Sequence, residues 1–230
     1  MRDNGPVTCT AADTRPQLVI FDLDGTLTDS APGVVASFRH ALAAVGAVPP
    51  TDDSARLAEL VVGPPMHHTL AALGLGDRAE EAIAAYRADY TSRGWAINGL
   101  YDGIAELLTD LRRAGVRLAV ATSKVEPTAR RILEHFGIDG HFEVVAGASM
   151  DGTRAAKADV VAHALTQLQP LPQRLLMVGD RSHDVEGAAV HGVDTVVVEW
   201  GYGAGDFPEG VGLPAASVSS VAELREVLGV

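Results

Sequence analysis

The sequence predicts an α/β fold, a parallel sheet with helices on both faces, interrupted by an inserted helical domain. Three observations carry this. Short runs at 17–22, 116–122, 143–147, 174–180 and 194–198 are apolar almost throughout, as strands covered on both faces are. Helix-like stretches at 103–114, 126–136, 155–168 and 184–190 alternate with them, several stopping at a glycine such as Gly115 or Gly137, and that alternation is the signature of parallel strands joined by helices. One interval, 33–99, breaks the rhythm and holds only helical patterns, at 33–45, 52–61, 65–73 and 79–93.

The elements follow in order. The first 16 residues, MRDNGPVTCTAADTRP, have no basic segment followed by a long apolar run, so they read as a disordered leader and not as a signal or anchor. The core is expected over 17–32 and 100–230, and the helical cap over 33–99, its helices separated by Pro49-Pro50, by Gly63-Pro64-Pro65 and by Gly74-Leu75-Gly76. With 230 residues, 47% of them hydrophobic, the chain suffices for one sizeable core plus an accessory domain. Its net charge of −12 opposes a general nucleic-acid or anionic-membrane role. No apolar run approaches the roughly 20 residues that span a bilayer. The single Cys9 fits a reducing compartment, and a cytoplasmic monomer or homodimer is expected.

In an open parallel sheet, ligands bind outside the carboxyl ends of the strands. Those ends bear Asp22 and Asp24, then Thr122, Ser123 and Lys124, then Asp180 and Asp184, while Lys157 opens the helix before the fourth strand. Several carboxylates converging on one point repel one another unless a hard, oxygen-seeking cation lies among them, which points to Mg²⁺. Hydroxyls of Thr26 and Thr122, backbone N–H groups of the Gly25 turn and the Lys157 ammonium are candidate donors to a phosphate. Only Lys124 and Lys157 among 18 basic residues are lysine. At a helix start, Lys157 opposes the helix dipole unless it serves a site, whereas Lys124 reads equally as a solvated loop residue.

Together FDLDGTLTDS, ATSK, Lys157 and VGDRSHD resemble the four motifs of the haloacid dehalogenase superfamily, in its phosphoglycolate phosphatase-like branch, over about Gln17 to the C-terminus. The resemblance implies a Rossmann-like core with the insertion as its cap. It also implies Asp22 as a nucleophile that becomes an aspartyl phosphate, Asp24 as acid and then base, and Thr26, Thr122, Ser123 and Lys157 around the phosphoryl group. Asp22, Asp24 and Asp180 are its implied Mg²⁺ ligands, with Asp184 supporting that shell.

Gly63, Pro64, Pro65 and Met66 are candidates for a substrate-specificity loop, stiffened by proline ahead of a helix N-terminus. Gly201 to Gly205 read as a surface turn, since no helix follows. His67-His68 and the other histidines lack zinc-ligand spacing. The expected partner is a small phosphorylated metabolite. A protein substrate is the second candidate, with phosphoryl transfer to a tyrosine; within the chain Tyr86, Tyr90, Tyr101 and Tyr202 are possible acceptors. No Walker loop or protein-kinase signature is present.

Overall fold

A computed structural model describes residues 15–62, 66–203, 207 and 212–230. Strand β1 (Leu18–Phe21) leads to a short β2 (Thr28–Asp29) and then to four helices, α1 (Ala31–Ala44), α2 (Ser54–Val61), α3 (Met66–Ala72) and α4 (Ala79–Ser92). A second short strand, β3 (Gly99–Leu100), returns the chain to α5 (Ile104–Arg113), β4 (Arg117–Val125), α6 (Glu126–His135), β5 (Val144–Ala148) and α7 (Lys157–Gln167). After them come β6 (Leu175–Gly179), α8 (Ser182–Ala189), β7 (Asp194–Val198), β8 (Ala216–Val218) and α9 (Val221–Leu228).

Six strands form one sheet in the order β5-β4-β1-β6-β7-β8, parallel throughout. β1 is buried on both faces, which explains its unbroken apolar sequence. Val19 and Phe21 pack with Leu107, Leu108 and Leu111 of α5, Ile132 of α6 and Leu224 of α9. Leu18 and Ile20 face the other way, onto Val160, Val161 and Ala164 of α7 and Ala188 of α8. Helices therefore cover both faces.

Helices α1 to α4 have an apolar cluster of their own, centred on the fully buried Phe38, Leu42, Leu57 and Leu70. Burying such side chains contributes about 1.5–3 kcal/mol each, which stabilises this group apart from the sheet. Asp53 caps α2 by accepting from the N–H groups of Ala55 at 2.9 Å and Arg56 at 3.3 Å, satisfying donors that a helix start leaves over. Against this bundle Gly33 allows a close crossing: a Cβ there would collide with the Gly94 carbonyl and lie 2.6 Å from the Ile97 oxygen.

The sheet has one more strand than the five apolar runs predict, because β8 is only three residues long. The connections to the helices also pair with each other: β2 and β3 form an antiparallel ribbon, Thr28 opposite Leu100 and Asp29 opposite Gly99. Most of the expected leader, along with Gly63, Pro64 and Pro65 of the candidate specificity loop and Ala204 and Gly205 of the glycine-rich turn, lies outside the described residues. Among the described residues no helix is long and apolar enough to cross a membrane.

Candidate active site

Parallel strands end on one side of the sheet, and their shared direction brings their last residues together. Asp22 follows β1, its N–H bonded to the Val178 carbonyl of β6 at 2.8 Å. Asp180 follows β6 itself, and Lys157 is the first residue of α7. Asp184 lies in the first turn of α8, where its Oδ2 accepts from the Arg181 N–H at 3.1 Å. Gly179 makes room for that carboxylate, since a Cβ there would collide with it.

Asp22, Asp180 and Asp184 each offer an oxygen within 4.8 Å of the others, and all three are buried. Lys157 partly compensates them. Its Nζ lies 2.7 Å from Asp22 Oδ1 and 2.7 Å from Asp184 Oδ1, and donates to the Ala121 carbonyl at 3.1 Å. Burial alone would push this ammonium down, yet Asp184 and Asp22 hold it above the ordinary lysine value. Burial raises Asp184 too, but Lys157, His183 and the Arg181 N–H together hold the carboxyl below its usual range. Asp180 is the opposite case. Burial, then Asp22 and Asp184, push it up to about 8, because the Tyr202 N–H and the Arg181 charge lower it less than its surroundings raise it. Its Oδ2 accepts from the Tyr202 N–H at 2.7 Å, while its buried Oδ1 has no hydrogen-bond partner.

An all-oxygen set of three carboxylates with one oxygen left over is the donor chemistry of a hard divalent cation such as Mg²⁺. The residues fit such an ion. Among the described residues this is the one group of three or more histidine, cysteine or acidic side chains arranged to hold a metal, and it contains no histidine or cysteine.

The remaining expected site residues divide. Thr26 and Thr122 are each 1% exposed at the same strand ends, and Thr26 Oγ1 has no partner, so a hydroxyl is available there. Thr122 Oγ1 accepts from the Lys124 N–H at 3.2 Å. Ser123, by contrast, is exposed. Asp24 stands apart from the three-carboxylate group: both its oxygens lie 2.9 Å from Lys124 Nζ. Met66 opens α3, distant in sequence from every strand end, and is half-buried.

Two features escape the sequence reading. Lys124 is no solvated loop residue; β4 shifts register between Thr122 and Val125, turning the lysine inward onto Asp24 and onto the Tyr90 hydroxyl of α4 at 2.6 Å. The second is the turn at Gly201. It is not merely a surface turn, because a Cβ at Gly201 would strike the Asp180 carboxylate and one at Gly203 the Asp180 backbone. Gly25, at φ +82°, leaves room for the same carboxylate, a conformation glycine adopts without strain. The tyrosines are all at least half-buried: Tyr86 stacks on Tyr90 at 5.6 Å, and Tyr202 donates to Asp29 Oδ1 at 2.6 Å.

Comparison with known proteins agrees with this geometry. The family described as haloacid dehalogenase-like hydrolase matches residues 19–198. The chain is 68% identical over 216 residues to the Mycobacterium tuberculosis protein named tyrosine-protein kinase PtkA, covering 94% of this chain and 73% of that one. It is 40% identical to a Pseudomonas aeruginosa 5'-nucleotidase, covering 91% and 94%, and 36% identical to a Rhodospirillum rubrum phosphoglycolate phosphatase, covering 81% of each. Among solved structures, Mycobacterium tuberculosis protein tyrosine kinase A superposes with a TM-score of 0.84 at 68% identity, covering 94% of this chain and 99% of that one. A putative phosphatase from Clostridium difficile gives 0.82 at 34%, covering 93% and 99%.

Proposed function

The chain belongs to the haloacid dehalogenase-like hydrolases, and we propose that it is a Mg²⁺-dependent phosphatase that hydrolyses small-molecule phosphomonoesters through an aspartyl phosphate on Asp22. The observation that carries this reading is the convergence of Asp22, Asp180 and Asp184 on one buried point, with Lys157 Nζ bonded to Asp22 Oδ1 at 2.7 Å. A carboxylate nucleophile divides one difficult hydrolysis into two easier displacements.

In the first step an Asp22 oxygen attacks phosphorus, the ester P–O bond breaks, and Asp24 gives its proton to the departing oxygen. In the second, Asp24 takes a proton from water, the hydroxide oxygen attacks phosphorus, and the bond to Asp22 breaks to release inorganic phosphate. Lys157 orients Asp22 and, with the Thr26 and Thr122 hydroxyls, faces the phosphoryl oxygens, where fixed donors and charge supply most of the catalysis. Asp22, Asp180 and Asp184, whose oxygens converge, would hold Mg²⁺, and the bound ion supplies positive charge against the phosphoryl oxygens; Asp24, expected from the sequence among the ligands, is held instead on Lys124 and is kept for proton transfer. Helices within 33–99 serve as the cap that selects the substrate, Met66 included.

Relatives named 5'-nucleotidase, phosphoglycolate phosphatase and pyrophosphatase favour a small phosphorylated metabolite. A second reading, transfer of the phosphoryl group to a protein tyrosine, is favoured by the name of the 68% identical mycobacterial relatives. It would use the same aspartyl phosphate. The test is phosphate release over a metabolite panel with Mg²⁺ or excess chelator, beside transfer from labelled ATP. Asp22→Asn is expected to abolish both turnover and the trapped phosphoenzyme. Turnover in chelator overturns the metal assignment, and phosphoenzyme formed by the Asn variant overturns Asp22 as nucleophile.

A further inference from the structure

Lys124 and Tyr90 form a chain from the helical insertion to Asp24 that the reaction outlined above does not use. Lys124 is held on every side. Its Nζ lies 2.9 Å from Asp24 Oδ1, 2.9 Å from Asp24 Oδ2 and 2.6 Å from the Tyr90 hydroxyl, so the three protons of the ammonium have three acceptors. Its Nζ also lies 4.9 Å from the centre of the Tyr90 ring, within the range of a cation–π attraction. Tyr90 is itself fixed: it is 9% exposed and stacks on Tyr86, one helical turn earlier, with the rings 10° from parallel.

The backbone supplies the other end of this arrangement. The irregularity in β4 between Thr122 and Val125 turns Lys124 out of the ladder and over Asp24. Its stem is buried, with the side chain only 9% exposed. Asp24 leads into the Gly25 turn, and among the described residues Lys124 is the cation bonded to its carboxylate. Without Lys124 it has a free side-chain rotamer, and a general acid must be held within hydrogen-bond reach of the atom it protonates.

We infer that Lys124 and Tyr90 are positioning residues for Asp24: Tyr90, carried on α4, aims the Lys124 ammonium, and Lys124 grips both Asp24 oxygens, so that proton delivery is tuned from the helical insertion. This rests on Asp24 as the acid that protonates the leaving group. Since α4 carries the tyrosine, the acid is aimed only while α4 lies against the sheet, and the catalytic geometry is completed by the element that selects the substrate.

The test compares para-nitrophenyl phosphate, whose leaving oxygen needs little protonation, with beta-glycerophosphate, whose leaving oxygen needs a proton. Both are measured in the full chain with Mg²⁺ for the parent, Tyr90→Phe, Lys124→Met and Asp24→Asn. Tyr90→Phe keeps the stacked ring and removes the hydroxyl. It is expected to lower the alkyl-to-aryl ratio of kcat about tenfold, the order of one hydrogen bond to a charged group. Lys124→Met is expected to lower that ratio further, towards the value for Asp24→Asn, with KM for the aryl ester little moved. Equal losses on the two esters in Tyr90→Phe and Lys124→Met, beside a selective alkyl loss in Asp24→Asn, overturn the positioning role and leave the acid in place. Equal losses in Asp24→Asn overturn the acid assignment and this inference together. Circular dichroism and urea unfolding of each variant identify a loss that comes from misfolding: a Lys124→Met variant that fails to fold leaves Tyr90→Phe, which retains the ring, to decide.

Discussion

Replacing Lys157 by Met removes the one ammonium that sits between two buried carboxylates. Methionine keeps the length of the stem, which packs against Gly187 so closely that a Cβ there would meet Lys157 Cγ at 2.7 Å. The change is therefore chiefly one of charge. Nζ lies 2.7 Å from Asp22 Oδ1 and 2.7 Å from Asp184 Oδ1, and at an effective dielectric constant of about 20 each attraction is about 6 kcal/mol before desolvation is subtracted. Desolvation offsets most of this, and breaking a buried pair by deleting one partner costs about 3–5 kcal/mol. That is a large share of the roughly 5–15 kcal/mol that holds a typical domain folded. Urea unfolding in excess chelator measures it. Without the ammonium, the two carboxyls hold protons more tightly folded than unfolded. The deficit is then full above neutral pH and shrinks as pH falls towards about 4, the unfolded carboxylate value. Adding Asp184→Asn to the Met variant removes one of the stranded charges and is expected to recover about half of the loss, as coupled neighbours do. A Met variant within about 0.5 kcal/mol of the parent, or a deficit unchanged between acid and neutral pH, refutes the reasoning.

Two further outcomes follow from other parts of the molecule. Gly33→Ala forces a methyl group against the Gly94 and Ile97 carbonyls, which are backbone and cannot rotate away; thermal unfolding is expected to register a loss of about 1–3 kcal/mol. Glu126 is pushed up by burial but more strongly pulled below its usual range by hydrogen bonds from Arg130 and the Gly147 N–H and by the Arg154 charge. Its folded value is depressed, so its stabilisation is present above the unfolded value and disappears as pH falls through the folded one. Glu126→Gln is expected to lower stability at neutral pH and to converge on the parent in acid, read from denaturation midpoints across that range.

Much of the sheet was legible because its central strands are buried on both faces and so write long apolar runs: Leu18 to Phe21 needs no tertiary information to be seen. Asp22, Lys157, Asp180 and Asp184 were legible for a related reason, since charge at the end of such a run, or at the wrong end of a helix, asks for a partner. What remained hidden depends on distance along the chain. β2 and β3 are two residues each and form a ribbon with each other. β8 has only three residues, although Ser220 and Glu223 after it have the spacing of a capping box, and Ser220 Oγ does accept from the Glu223 N–H at 3.2 Å. Lys124 was ambiguous because a register shift within a strand leaves no mark in hydropathy. Gly201 and Gly203 looked like solvent-facing glycine because sequence cannot say that Asp180 lies against them.

The ribbon of β2 and β3 has a mechanical consequence. Both crossings between the sheet and the helices are tied together, by the β2–β3 ladder and by the Tyr101 N–H on the Leu27 carbonyl at 3.1 Å. Tied in this way they form one door pin instead of two loose strings: a rocking of the helices about it would keep the ladder, whereas sliding or twisting would tear it. The pin is also the foot of the turn that bears Asp24 and Thr26, because the Gly25 N–H bonds to the Thr28 carbonyl at 2.8 Å and the Thr28 N–H to the Leu23 carbonyl at 2.9 Å. A torque on the helices is therefore transmitted to that turn within a few bonds. For the same reason, a residue inserted into one crossing alone shears both the pin and the turn, whereas a matched pair, one in each crossing, lengthens the pin and preserves its axis.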